Sequence, residues 1–256
     1  MASDLPLTFN QAVRGVAEFS GWYHLQGIHY HIVAAANHIR ILRPVEVAIH
    51  TILYVRQVYP ADLFIRRKKY DTPVFQSRHP GLNEYIAGAV RAITDELALG
   101  NVDKVVLVIK NANEKPLERF IFALRNTLQV ESYNKDTSVD GAISAASLGQ
   151  YLRSFLVKLN MIEAQLGQIH LDDLSFAIII ELQDDKAPTA SHGKEPPPWI
   201  PASTPNTTAG AGDSAELHMV RAVDTGIINL SLAVQESEYK LELEKVTESK
   251  GKQKAI

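Results

Sequence analysis

The run Val105-Val106-Leu107-Val108-Ile109, set within Val102 to Lys110, restricts the fold more than any other stretch of the chain. Consecutive apolar residues, mostly β-branched, suit a central strand covered on both faces and are too few for a buried helix. A turn over Asn111 to Pro116 and a second strand, Leu117 to Leu124, complete a β-hairpin, with Phe120 and Phe122 on one face. Leu174 to Leu182 (LSFAIIIEL) is a third strong strand. Such a sheet needs helices to cover it, and three are legible. One carries the stripe Val45, Ala48, Ile49, Ile52 and is expected to end at Pro60. One starts at Pro80, the favoured first-turn residue, buries Leu82, Tyr85, Ile86, Ala89, Val90, Ile93 and Leu97, and stops at Gly100. The last spans Asp140 to Ile162. The order predicts an α+β domain, three long helices on one face of a mainly antiparallel sheet.

Beyond Asp184 the composition shifts to Pro, Gly, Ser and Thr, which predicts an extended connection with Trp199 inside it. Leu217 to Val223 and Ile227 to Val234, joined by Asp224-Thr225-Gly226, form a late hairpin. The Lys/Glu-rich residues 237–256 are expected to be a disordered tail or a frayed helix. Near the start, Thr8 to Phe19 has helical periodicity with Thr8 as a candidate cap. Residues 20–44 break the pattern: they are rich in His and aromatics, carry Gly21 and Gly27, and have no clean period. With that segment removed, Phe9, Val13, Val16, Val45, Ile49 and Ile52 fall into one continuous helical stripe. The segment is therefore expected to be an insertion into a single helix, of the kind an unspliced intron leaves.

No phosphate loop, dinucleotide fingerprint, HExxH or GxSxG is present, and without cysteine there is no thiolate chemistry. The net charge of −3 gives no global attraction to nucleic acid. Arg66 to Lys69 suits either phosphate contact or a charged edge strand that resists unwanted pairing. The pairs Asp172-Asp173 and Asp184-Asp185 suit either acid–base work or solvation of the ends of the intervening strand. His24, His29, His31 and His38 would bind metal only if folding converged them, and their spacing is irregular. The most apolar helix is interrupted by Glu46, His50 and Arg56 and is too short to span a bilayer. No catalytic residue, metal site or cofactor is expected; the pattern points to binding.

The segments HTILYVRQVYP, LFIRRKKYDTPV, HPGLNEYI, VDKVVLVI, KPLERFIF and SLGQYLRSFLVKL, in that order, resemble the HORMA-domain family. The branch most similar is the accessory subunit of translesion DNA polymerase zeta. The resemblance implies a HORMA domain over residues 7–236, with residues 184–236 as a "safety belt" that closes over an extended partner peptide added to the sheet edge. The implied partner is a proline-containing segment of the catalytic subunit of DNA polymerase zeta, and the implied location is the nucleus, with the cytoplasm as the alternative. It implies peptide-binding roles for Tyr85 and Trp199; core packing remains the alternative for Tyr85. It implies a HORMA–HORMA dimer through Arg153, Lys158 and Ala164, although Arg153 also suits a residue at the edge of the core whose guanidinium reaches water. It implies contact with the C-terminal domain of the deoxycytidyl transferase scaffold polymerase through Leu217, Ser231 and Ala233, the last two smaller than is usual there. No specific DNA contact and no membrane association are implied. The alternative within the family is a spindle-checkpoint or chromosome-axis adaptor with a different client.

Overall fold

The computed structural model describes residues 6, 8, 44–126, 142–184, 186–189, 199–212, 215–226 and 228–253. Helix α1 (Pro44–Val55) is internal: Val45 and the consecutive residues Val47 to Leu53 are all buried, so it is apolar contact all round rather than one stripe. It ends before Pro60. Gln57 takes a left-handed conformation (φ 53°) while Val58 N–H donates to the Leu53 carbonyl at 3.0 Å, the terminating pattern usually given to glycine. The expected first half of this helix and the insertion at 20–44 lie outside the described residues, except for two points. Pro44 begins α1, and Thr8, expected to cap a helix, lies in an isolated β-bridge.

Strands β1 (Phe64–Lys69) and β2 (Thr72–Ser77) form a separate antiparallel hairpin. Its two-residue turn, Tyr70-Asp71, has both φ angles positive, which matches the right-handed twist of the strands without the usual Asn-Gly. Helix α2 (Pro80–Ala98) starts at Pro80, with His79 Nδ1 accepting from Leu82 N–H at 3.2 Å. It buries Ile86, Val90, Ile93 and Leu97, whereas Tyr85, expected in that stripe, is 49% exposed. Helix α3 (Ala145–Asn160) begins later than expected because Ser144 caps it, and a short α4 (Glu163–Leu166) follows.

The main sheet contains β3 (Val102–Lys110), β4 (Pro116–Asn126), β5 (Ser175–Leu182), β6 (Glu216–Asp224) and β7 (Ile228–Glu236). Their order is β5-β3-β4-β7-β6, with every described pairing antiparallel. Alternation assigns the faces. Val105, Leu107, Ile109, Phe120, Phe122, Leu124, Ile178, Leu230, Leu232 and Val234 join α1, α2 and α3 in the main core. Val106, Val108, Ile121 and Ile179 form a smaller cluster on the back. This accounts for the unbroken apolar run in β3, which is buried on both sides.

Of the two expectations for residues 237–256, the helix is the one seen: α5 spans Glu238–Gln253. Ser237 Oγ accepts from Lys240 N–H at 3.2 Å and so caps it. Lys240 is buried, donating to the Leu166 carbonyl at 2.8 Å and pairing with Glu118 at 2.8 Å and with Glu236. Arg56 completes the cluster through two bonds to Glu118, at 2.8 and 2.6 Å, and one to the Gly167 carbonyl at 2.8 Å. Burial disfavours the Lys240 ammonium, but the Glu118 and Glu236 carboxylates outweigh it and raise its pKa. These tertiary ties hold a helix whose polar composition gives it little other reason to dock. Among the described residues, no helix is long and apolar enough to cross a membrane.

Candidate functional site

Strand β5 lies at one end of the sheet order: its inner side pairs with β3, and no described strand pairs with its outer side. An open edge of eight residues presents alternating amide N–H and carbonyl groups over about 26 Å, at about 3.3 Å per residue. The chain leaving β5 first turns toward the end of α2. There Thr189 N–H donates to Glu96 Oε1 at 2.5 Å, while Glu96 Oε2 accepts from Asn101 Nδ2 at 2.9 Å. Glu96 is a buried carboxylate in an apolar helix stripe, and these bonds satisfy it.

When the chain is described again, Trp199 packs against the main core and Ile200 to Ala202 run beside β5. Between them lies a cavity of about 580 Å³, lined by Ile178, Ile179, Ile180 and Leu182 on one side and Pro188, Thr189 and Trp199 to Ala202 on the other. Further along the edge, Phe176 of β5 stands between two tyrosines, its ring centroid 5.7 Å from that of Tyr85 and 6.2 Å from that of Tyr59, both edge-on. Burial, with Tyr85 close by, raises the pKa of Tyr59. The open edge is thus flanked by Tyr85 toward one end and by Trp199 toward the other.

The chain then crosses to the back of the sheet in two 3₁₀ turns, Thr204–Asn206 and Thr208–Gly210. Glu181 of β5 accepts from Thr208 N–H and from Thr208 Oγ1–H, each at 2.6 Å, and from Lys104 Nζ at 3.2 Å. Burial alone would raise the Glu181 pKa; the Thr208 and Lys104 bonds prevail and hold the carboxyl below the usual range. Arg119 of β4 donates from Nη2 to the Pro205 carbonyl at 2.5 Å. From there the chain reaches β6 at the opposite end of the sheet. It is a strap fastened to α2 and to the back face, passing over an unpaired strand edge.

A domain family known as the HORMA domain matches residues 40–169, just over half of the chain. The chain belongs to the HORMA-domain family. Among relatives, the rat mitotic spindle assembly checkpoint protein MAD2B is 31% identical, over 76% of this chain and 88% of its own length. The DNA polymerase zeta processivity subunit of Schizosaccharomyces pombe is 36% identical, over 54% of this chain and 65% of its own length. The fold is similar to a chain in the crystal structure of the mitotic checkpoint complex (TM-score 0.60, 18% identity, 75% of this chain and 94% of that one). It is also similar to C. elegans HTP-2 bound to HTP-3 closure motif 1 (TM-score 0.57, 11% identity, 78% and 85%).

The other residues singled out in this HORMA domain fall at three places. Arg153, Lys158 and Ala164 are all exposed near the outer face of α3 and α4, together with Val157 and Met161. Arg153 is exposed and lies within electrostatic reach of Asp71. On the far edge of the sheet, Leu217 is exposed, Ser231 is half-buried and Ala233 is buried opposite Met219. Met219 shares the exposed face with Leu217; period-two spacing in an edge strand was the signal for it. Asp172 and Asp173 are exposed in the turn before β5, where Asp173 has φ 56°, and they border a larger cleft of about 1070 Å³ at the foot of α1. None of the residues lining that cleft belongs to the main sheet, so the smaller cavity beside β5 is the better candidate for peptide capture. Among the described residues, Glu216, His218 and Glu236 could converge on a metal ion, their ligand atoms lying within 4.8 Å of one another. Here His218 Nε2 contacts Glu236 at 2.8 Å and Lys240 pairs with the same carboxylate, so its charge is already matched.

Proposed function

We propose that this protein is a non-catalytic adaptor in translesion DNA synthesis. It clasps an extended, proline-containing segment of the catalytic subunit of DNA polymerase zeta against β5, beneath the belt, and bridges that subunit to other translesion factors in the nucleus. The observation that carries the reading is the unpaired β5 edge covered by a fastened strap with an apolar cavity between them. Main-chain pairing to β5 supplies affinity, and the pockets beside Tyr85 and Trp199 supply selectivity. Proline suits such a guest at positions whose N–H points away from the ladder, where its missing donor loses nothing. The relatives named as processivity subunits support the polymerase assignment.

Two further surfaces belong to the same proposal. The exposed strip around Arg153, Val157 and Met161, with Lys158 and Ala164, pairs two HORMA domains. The exposed Leu217 and Met219 face, with Ser231 beside it, receives the C-terminal domain of the deoxycytidyl transferase scaffold polymerase; buried Ala233 shapes that face from below.

The names of the checkpoint relatives favour a second reading, an adaptor that clasps a checkpoint or chromosome-axis client by the same route. Affinity purification from cells separates the two. Recovery of a family-B polymerase catalytic subunit supports the first, and recovery of an anaphase regulator or axis protein in its place supports the second. Trp199→Ala is expected to speed dissociation of the captured partner by roughly 30-fold, as loss of a buried aromatic anchor does, with the melting temperature little changed. An unchanged dissociation rate would count against capture beneath the belt.

A further inference from the structure

The part of the belt that borders the cavity is not the part that is fastened. Among the described residues, Trp199 to Ala202 makes no hydrogen bond to the sheet, and Ile200 is 79% exposed. The residues that follow form a compact knot. Thr207 N–H and Oγ1–H both donate to the Thr204 carbonyl, at 3.0 and 2.8 Å, and Asn206 N–H donates to Ser203 at 2.9 Å. The knot is so tight that a Cβ on Gly210 would lie 2.0 Å from the Thr204 carbonyl oxygen. Two charged side chains on the back face of the sheet hold it, Glu181 through both donors of Thr208 and Arg119 through the Pro205 carbonyl.

Arg119 makes the arrangement one-sided. It is buried, and among the described residues its Nε and Nη1 have no hydrogen-bond partner, so the Pro205 carbonyl supplies the guanidinium with a hydrogen bond that it otherwise lacks. Leaving a buried charged donor without a partner is unfavourable, so the knot is drawn to its seat whether or not a peptide is present. The knot lies on the back face, whereas the guest pairs with the edge of β5.

We infer that Glu181, Arg119 and the Thr204–Gly210 knot form a buckle, a conformational gate that must open for a guest segment to enter or leave and that does not itself contact the guest. The inference rests on the clasp reading and adds where the clasp opens. Its signature is kinetic. The buckle stabilises the closed belt equally with and without a guest, so weakening it speeds entry and escape by the same factor and leaves the equilibrium affinity unchanged. A residue that touches the guest behaves differently, raising escape and Kd together with entry unaffected.

The test uses the full chain and the purified catalytic subunit of polymerase zeta on a biosensor surface, comparing wild type with Thr208→Val, Glu181→Gln and Trp199→Ala. Thr208→Val removes one of the two bonds to Glu181 and keeps the backbone donor. Thr208→Val is expected to raise both rate constants about 15-fold, at the low end of the range for one bond to a charged group, with Kd unchanged within twofold. Glu181→Gln is expected to do the same or more. Hydrogen exchange of the free protein supplies an independent readout: both variants are expected to speed exchange at Thr208 by a similar factor while the core amides keep their protection. If wild type fails to bind the subunit but Thr208 exchange responds as stated, the client assignment fails and the buckle stands. If Thr208→Val leaves exchange and both rates as in wild type, or raises escape and Kd together as Trp199→Ala does, the buckle is refuted.

Discussion

His50 offers a test of the interior that needs no partner. It lies in α1 between Ile49 and Thr51, is 2% exposed, and neither ring nitrogen has a hydrogen-bond partner among the described residues. Burial lowers its pKa from 6.5 to about 4, so the imidazole is neutral in the folded protein at physiological pH. The unfolded chain takes up a proton near pH 6.5, but the folded one does so only near pH 4. Between those values the unfolded state binds more protons, so stability falls as pH falls. At about 1.4 kcal/mol per pH unit, the loss reaches about 2 kcal/mol between pH 7 and pH 5, and about 3 kcal/mol by pH 4. For a chain of this size that lowers the melting temperature by about 4–8 °C at pH 5. The assay is a melting series from pH 7.5 to 4.5 for wild type and His50→Leu. The variant retains the carboxylate contributions and loses this one, so the difference between the two curves isolates His50. His50→Leu is expected to be the flatter curve, and it also removes two unsatisfied buried nitrogens. Parallel curves would refute the assignment of a buried neutral imidazole.

Three further outcomes are expected, beside the loss of partner retention in Trp199→Ala. Lys240→Ala strips the buried Glu118 and Glu236 carboxylates of a shared cation and is expected to destabilise by about 3 kcal/mol, read as a lower urea midpoint. Gly210→Ala forces the Thr204 carbonyl away and is expected to make the belt more susceptible to limited proteolysis near Thr204, with the melting temperature close to wild type. Arg153→Ala is expected to shift any dimer toward monomer in sedimentation velocity; an unchanged distribution in a dimerising wild type places the interface elsewhere.

The features legible in the sequence are those that depend on period and composition. The apolar run of β3, the hairpin with β4, the LSFAIIIEL strand and the late hairpin all report local pattern, and each appears where expected; the described part of the connection before that hairpin is wound into two 3₁₀ turns where an extended path was expected. Tyr85 and Trp199 were placed by resemblance, and the fold brings both to the β5 edge. What escaped depends on distant partners. Glu96 looks like a stray acid in an apolar stripe until Thr189, 93 residues away, meets it. Glu181 looks like a strand-end solvator until Thr208 crosses the back of the sheet. The tail was read from its charge as disordered or a frayed helix, and what that missed is the docking of α5 through Lys240, whose partners lie on β4, β7 and the end of α4. Some turns also lacked their usual residues: Gln57, the Tyr70-Asp71 pair and Glu114 adopt positive φ without glycine.

Length explains why the belt is fastened where it is. The belt joins the end of β5 at one edge of the sheet to the start of β6 at the other: four inter-strand steps across, or about 19 Å at about 4.8 Å each, and, because Glu216 lies level with the start of β5, also about one strand length, roughly 26 Å. The 33 residues from Gln183 to Ala215 can extend to roughly 110 Å at about 3.3 Å per residue. A strap so much longer than its span exerts no tension and cannot trap a guest by being pulled tight. Retention must come from fixed points, and they occur at Thr189 on α2 and at Pro205 and Thr208 on the back face, one on each side of the segment that borders the cavity. The slack between them lets the belt accommodate guests of differing bulk, since doubling a loop's length costs only about 0.6 kcal/mol in closure entropy. Each fastening bond to a charged group contributes about 1.5–3 kcal/mol, more than that entropy, so the closed belt is stable and yet opens by releasing a few bonds. In the clasp proposed above, the rates of capture and release would therefore be set by bonds that the guest never touches, and selectivity by the aromatic residues that it does.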